Sequence, residues 1–211
     1  MMSEVDVARH VAYCRRCLNL LPGAFTSNDL NRLSLGFFLL NALDILNCLS
    51  CITPEEREEW INWIYSCQIP GGGFRGSTGT KTKEPSIFDA GHLPALYFAI
   101  ASLLILGDDL TRIDRRGALD TMKRLQNEDG SFSPVVIGED KFGEVDVRHL
   151  YCAIAAREML SPIKAEEDID VNAAIRYIQR CKVRPTIVYT HNSLMMEAMR
   201  RARVWSLMVS L

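Results

Sequence analysis

The sequence lacks any apolar run long enough to cross a membrane. The longest, Leu93–Leu106, includes Pro94 and falls short of the roughly 20 residues that a bilayer-spanning helix needs. Its first residues, MMSEVDVARH, have no apolar core of signal-peptide type. It also lacks an excess of either charge. The net charge is −2 and acids and bases are mixed throughout, so there is no basic face for nucleic acid. The densest basic run, Arg200-Arg201-Ala202-Arg203, reads as part of a solvated tail. Strand-like alternation is missing as well. Histidine is scarce: His10, His92, His149 and His191 show no metal-ligand spacing with one another or with carboxylates. These absences set aside membrane-spanning and nucleic-acid-binding classes and predict a cytoplasmic protein.

Cysteine is not scarce, but its pattern excludes a disulfide framework. Seven cysteines, an odd count, lie mostly inside apolar helical patterns, which suits a reducing compartment. Cys14-x-x-Cys17 and Cys48-x-x-Cys51 share the spacing of zinc-binding pairs, and four thiolates can make a tetrahedral site. Both pairs read as helical, however, without the glycine-bearing turn that shapes a zinc knuckle. Buried cysteine acting as a small hydrophobe is the favoured reading.

What the sequence does contain is a succession of amphipathic helices. Hydrophobic residues make up 48% and charged residues 24%, enough apolar material to bury a core over 211 residues. Val7, Val11, Cys14 and Leu18 recur at helical spacing before Pro22-Gly23. Asn28-Asp29 is expected to open a second helix through Leu33, Phe37, Leu40 and Leu43. Thr53-Pro54-Glu55-Glu56 is a capping box with proline at the first helical position, opening a helix that runs to about Gln68. A long loop is expected from Ile69 to about Phe88, then an apolar helix after Pro94. Asp114 caps the next helix; two more run from about Asp146 to Leu160 and from about Asp170 to Cys181.

A repeat runs through these helices. Gln68-x5-Phe74 with Gly72-Gly73 matches Gln126-x5-Phe132 with Gly130-Ser131, an offset of 58 residues (126 − 68). Each time an amphipathic helix ends at glutamine and a glycine turn delivers a phenylalanine. A more apolar helix lies between the copies. The unit is therefore a pair of helices, one inner and one outer.

Six segments in this order resemble the protein prenyltransferase β subunits, and in particular those of geranylgeranyltransferase type I. They are Trp63-Ile-Tyr-Ser-Cys-Gln68, Gly73-Phe-Arg-Gly-Ser77, Phe88-Asp-Ala-Gly-His92, Leu104-Ile-Leu-Gly-Asp-Asp-Leu110, Leu125-Gln-Asn-Glu-Asp-Gly-Ser-Phe132 and Asp146-Val-Arg-His-Leu-Tyr-Cys-Ala153. The resemblance covers roughly residues 7 to 182. It implies an all-α fold: an α/α barrel of helix-pair repeats, here partial and incomplete on its C-terminal side. Residues 1–182 would form its N-terminal part and residues 183–211 a divergent tail. It also implies a heterodimer with an α subunit, geranylgeranyl diphosphate as lipid donor, and proteins ending in a CaaX sequence, usually with a final leucine, as acceptors. In such enzymes zinc activates the acceptor thiolate and a basic cluster meets the departing diphosphate, as metal coordination and fixed charge can do.

Carried over by position, Ser34 and Phe38 match residues lining the prenyl and peptide pocket. His92 and Pro94 match the region near the peptide's last residue, although Ala90 and Pro94 replace smaller or hydroxylated residues there. Arg148 matches an arginine that holds the peptide backbone, and His149 stands where an aromatic residue helps shape the leucine pocket. Four of these have a plainer alternative: core packing for Ser34 and Phe38, a capping or structural role at a helix start for His92, a surface histidine for His149.

The resemblance fades after about Cys181. Asn192-Ser-Leu-Met-Met-Glu-Ala198 partly matches a segment that carries the family's diphosphate histidine, but Met199 stands in its place. The later basic residues and the zinc ligands have no counterpart. The expectation is therefore that this chain has no catalytic residues or metal ligands of its own and is inactive in this form, although zinc belongs to the full-length enzymes. Two readings follow: an enzyme β subunit, or a non-catalytic helical protein that binds the α subunit or a lipidated peptide. A terpene cyclase-like barrel, with Asp108-Asp109 as its acidic motif, is a more distant third.

Overall fold

A computed structural model describes residues 6–83 and 89–181. The tail 183–211, with its basic run, Met199 and His191, and the last residues of the expected long loop lie outside the described residues. Seven α-helices are present among the described residues: α1 Val7–Asn19, α2 Arg32–Ile45, α3 Pro54–Ser66, α4 Leu93–Ile105, α5 Arg115–Leu125, α6 Val147–Met159 and α7 Val171–Cys181. One short antiparallel hairpin, β1 Val135–Ile137 with β2 Asp140–Phe142, joins α5 to α6.

Local chemistry sets most helix starts. Thr53 and Glu56 complete a reciprocal capping box at α3. The carboxylates of Asp114, Asp146 and Asp170 accept backbone N–H groups from Gly117, Arg148 and Ala173. Two helices start without a side-chain cap: α4, which has proline in its first turn, and α2. Asn28 and Asp29 lie in a 3-10 stretch, Gly23–Asn31, and α-helix begins only at Arg32. Tertiary contact decides this start: Leu33 N–H donates to Gly76 C=O at 2.9 Å. Asp29 pairs with Arg32 instead of capping.

α4 is the apolar centre, with Leu93, Leu96, Ala99, Ile100 and Leu103 fully buried. It packs against α2 and α6 on its flanks and against α3 and α5. The helices α2, α4 and α6 thus form an inner row, with the others behind it. Equivalent helices of successive repeats run the same way.

The repeat seen in the sequence is a physical joint. In each copy the glutamine and phenylalanine pair across the glycine turn, Gln68 with Phe74 and Gln126 with Phe132. The phenylalanines are buried, a gain of about 1.5–3 kcal/mol each. The glutamine side chain then reaches the start of the next outer helix. Gln68 Oε1 accepts from Asp114 N–H at 2.8 Å, and its amide donates to Arg112 C=O at 3.2 Å. Gln126 repeats this with Asp170 N–H and C=O, at 2.7 and 2.8 Å. Gly72 (φ 114°) and Gly130 (φ 88°) press against the first turns of α5 and α7. A Cβ there would lie 2.0 Å from Gly117 C=O or from Ala173 C=O. Only glycine satisfies both the dihedral and the space.

Candidate functional site

The inner row presents an aromatic wall. Phe37 and Phe38 on α2, Tyr97 and Phe98 on α4, and Tyr151 on α6 form a chain of ring contacts. Centroid distances are 5.0 Å for Phe37–Phe98, 5.5 Å for Phe38–Phe98 and 5.4 Å for Tyr97–Tyr151. These tilted and edge-on geometries are the favourable ones for aromatic pairs. The phenols of Tyr97 and Tyr151 share a hydrogen bond at 3.3 Å, and burial raises the pKa of both. Phe37 and Tyr97 are buried, yet Phe38 is 57% exposed while still touching two rings. An exposed phenylalanine continuous with a buried cluster makes an open apolar surface.

The six residues singled out in the sequence fall on this inner row, in three pairs. Ser34 and Phe38 are one helical turn apart on α2, Ser34 half-buried and Phe38 exposed. His92 precedes α4 and Pro94 lies in its first turn. His92 N–H donates to Phe74 C=O at 3.1 Å, and His92 bridges to Val135 of the hairpin. Arg148 and His149 lie in the first turn of α6. Tyr97 and Tyr151, which touch, are each the fifth residue of their helices, so the first turns of α4 and α6 stand at one level.

Arg148 does not stand alone on an apolar face. Its side chain is about half exposed, and Nε donates to Asp146 Oδ1 at 2.9 Å. Burial alone would raise the Asp146 pKa, but hydrogen bonds from Arg148 and its charge hold the carboxyl below its usual range. His149 is half-buried, not a surface residue. Burial lowers its pKa against the pull of Asp146, and its Nδ1 is buried without a hydrogen-bond partner.

Asp108 and Asp109 serve a turn. Asp108 accepts from Tyr65 Oη–H at 2.5 Å and from Leu110 N–H, while Asp109 accepts from Thr111. They follow the C-terminal end of α4, away from the first turns that hold His92 and Arg148. Nor are all four cysteines of the paired motifs helical. Cys14 and Cys17 are buried on α1, but Cys48 and Cys51 flank a 3-10 turn, half-buried and exposed. Among the described residues, no three His, Cys, Asp or Glu side chains are placed to hold a metal ion.

Two features escaped the sequence reading. The aromatic wall joins residues about 60 positions apart, and nothing local marks Phe98 or Tyr97 as its members. The other is a buried ion pair beside the glycine turn: Arg75, 5% exposed, donates to Asp89 Oδ1 at 2.5 Å. Burial would raise the Asp89 pKa, but the Thr82 N–H, Arg75 hydrogen bond and Arg75 charge outweigh it and lower the value. Arginine following Gly73-Phe74 was the available signal.

An inner row of helices with an apolar face, backed by an outer row through glutamine-glycine joints, defines an α/α toroid. Residues 5–184 match the prenyltransferase alpha-alpha toroid domain, and the chain belongs to that family. It is 33% identical over 205 residues to the geranylgeranyl transferase type-1 subunit beta of Dictyostelium discoideum, covering 86% of this chain and 56% of that protein. The protein of the same name from Arabidopsis thaliana is 32% identical over 186 residues, covering 82% and 48%. The protein farnesyltransferase subunit beta of Pyricularia oryzae is 30% identical over 160 residues, covering 75% and 28%. The chain thus spans about half the length of the geranylgeranyl transferase relatives. No described helix is long and apolar enough to cross a membrane.

Proposed function

We propose that the chain acts as the β subunit of a type I protein geranylgeranyltransferase, supplying one wall of the cavity that receives the lipid and the acceptor peptide. The open aromatic surface of Phe38, Phe98 and Tyr151 carries this reading. A long isoprenoid has little to hydrogen-bond, so its recognition rests on apolar area and ring faces. Ser34 leaves room beside Phe38 for the lipid chain. Arg148, His92, Pro94 and His149 stand at the first turns of α4 and α6, where polar donors can hold a peptide's backbone and carboxylate. The likeness to the two geranylgeranyl transferase β subunits supports geranylgeranyl diphosphate as the lipid and CaaX proteins, with a final leucine, as acceptors. A prenyltransferase α subunit in the cytoplasm would be the partner. Residues 1–182 would be the N-terminal part of the toroid and residues 183–211 a distinct tail.

Zinc is the cofactor implied by this reading, and the described residues do not assemble its ligands, so no step is routed through it. A second reading is a non-catalytic helical protein that binds the α subunit or a lipidated peptide. Co-expression with a prenyltransferase α subunit, followed by assay with zinc, geranylgeranyl diphosphate and a peptide ending in CaaL, separates the two. Transfer supports the enzyme subunit. A stable complex that binds peptide without transfer supports the second, and absence of any complex contradicts both.

A further inference from the structure

We propose that Cys48 and Cys51 form a vicinal dithiol that closes reversibly to a disulfide by exchange with a low-molecular-weight disulfide. This site is independent of the prenyltransferase reading and lies outside the aromatic wall. Cys48 caps and Cys51 ends a 3-10 turn, Leu49–Cys51, closed by Cys51 N–H donating to Cys48 C=O at 3.0 Å. In such a turn side chains three residues apart eclipse one another. A turn closed in this way keeps its end Cα atoms within about 7 Å, which overlaps the roughly 4.4–6.8 Å that a disulfide spans.

The turn is held from both sides. Asn47 takes φ 55°, and Cys48 N–H closes back on Leu43 C=O at 2.9 Å, ending α2. Two residues after Cys51, the Thr53 cap starts α3, and both carboxylate oxygens of Glu56 in that capping box accept from Arg15 Nη2, each at 2.7 Å. The thiols are therefore presented by a loop that is hydrogen-bonded to the helices on both sides. Burial and then the closeness of Cys51 raise the Cys48 pKa.

No other cysteine combines pairing with access. Cys14 and Cys17 have the same spacing but are buried on α1. Cys67 and Cys152 are buried singly, and burial pushes their thiols up to about 11 and about 12. Cys181 is exposed without a cysteine neighbour in sequence. Only Cys51 is exposed beside a second thiol.

The chemistry balances with glutathione disulfide as oxidant. The Cys51 thiolate attacks one glutathione sulfur, the glutathione S–S bond breaks, and one glutathione thiolate leaves. The Cys48 thiolate then attacks Cys51 Sγ in the mixed disulfide, forming the Cys48–Cys51 bond and expelling the second glutathione thiolate. The two cysteine protons pass to the two leaving thiolates. The protein loses two electrons and the glutathione disulfide gains them. Inside cells such pairs are transient and redox-responsive, not structural.

The test uses the full chain equilibrated across glutathione redox buffers, blocked by alkylation and digested with trypsin. Peptide 33–57 holds Cys48 and Cys51 and no other cysteine. It should lose two hydrogens and resist alkylation as the disulfide fraction rises, and a dithiol reductant should reverse this. Cys48→Ser should instead leave one glutathione on Cys51. Closure should need a smaller fraction of glutathione disulfide in the folded chain than in denaturant, because the turn presents the thiols. Two free thiols or two glutathiones on peptide 33–57 would overturn the proposal. So would equal closure in folded and unfolded chains, or a Cys14–Cys17 bond that forms first.

Discussion

Alanine at Gly130 would carry a Cβ 2.0 Å from Ala173 C=O, 2.3 Å from its carbonyl carbon and 2.9 Å from Ala174 N, all backbone atoms of the next outer helix. None of these is the end of a flexible side chain, so the turn or α7 must move. Two costs combine. Holding a residue with a Cβ at φ 88° costs about 1–2 kcal/mol, and overpacking a tight contact about 1–3 kcal/mol more. Gly130→Ala should therefore lose about 2–5 kcal/mol. Gly138 supplies the control: its φ is 60° but an added Cβ meets nothing within 4 Å. Gly138→Ala should bear the dihedral cost alone, about 1 kcal/mol. Urea unfolding followed by circular dichroism measures both. With a slope of about 2 kcal/mol per molar urea, the two midpoints should differ by about 0.5–2 M. Equal midpoints would refute the reasoning, because the joint between repeats would then not need close backbone contact.

Three further outcomes follow from named contacts. Arg75→Met should cost about 3 kcal/mol, since it removes a buried charge partner from the Asp89 carboxylate at 12% exposure. Arg148→Ala should cost under about 1 kcal/mol in the same unfolding assay, because the Arg148 side chain is 47% exposed and Asp146 keeps the backbone N–H of residue 148. Asp168 is held below the usual carboxylate range by the two hydrogen bonds and charge of Arg157. Its folded pKa lies below the unfolded one, so its contribution is complete above about pH 4 and is lost as the pH falls through the folded value. Arg157→Met should therefore flatten the fall in stability on acidification, and parallel stability–pH curves for the two proteins would contradict this. Phe38→Ala should change the unfolding midpoint little, because the ring is 57% exposed, while abolishing geranylgeranyl diphosphate binding by the complex with an α subunit. A large stability loss with unchanged lipid binding would return Phe38 to core packing.

Much of the fold was legible because its signals are local. Asp114, Asp146, Asp170 and the Thr53 box each announce a helix within four residues, and the Gln-x5-Phe spacing announces the joint. The start of α2 was not legible. Asn28-Asp29 is a sound local cap signal, but the Gly76 loop, over 40 residues away, supplies the carbonyl that accepts from Leu33 N–H and fixes Arg32 as the first α-helical residue. The β1–β2 hairpin was missed for a different reason: three residues per strand are too few for alternation to show. At the site, family resemblance points to single residues, while their setting was not legible. The sequence cannot say that Arg148 leans on Asp146, that His149 is half-buried, or that Phe38 belongs to a ring chain reaching Tyr151.

Photo-crosslinking tests the central claim most directly. The chain, co-expressed with a prenyltransferase α subunit, would be irradiated with a geranylgeranyl diphosphate analogue bearing a photoreactive group at its lipid end, and the labelled peptides mapped. Labels on the peptides that hold Phe38, Phe98 and Tyr151, displaced by unmodified geranylgeranyl diphosphate, are the predicted result. Labels confined to outer helices such as α1 and α5, or labels that unmodified lipid does not displace, would contradict the assignment of the inner aromatic wall as the lipid surface.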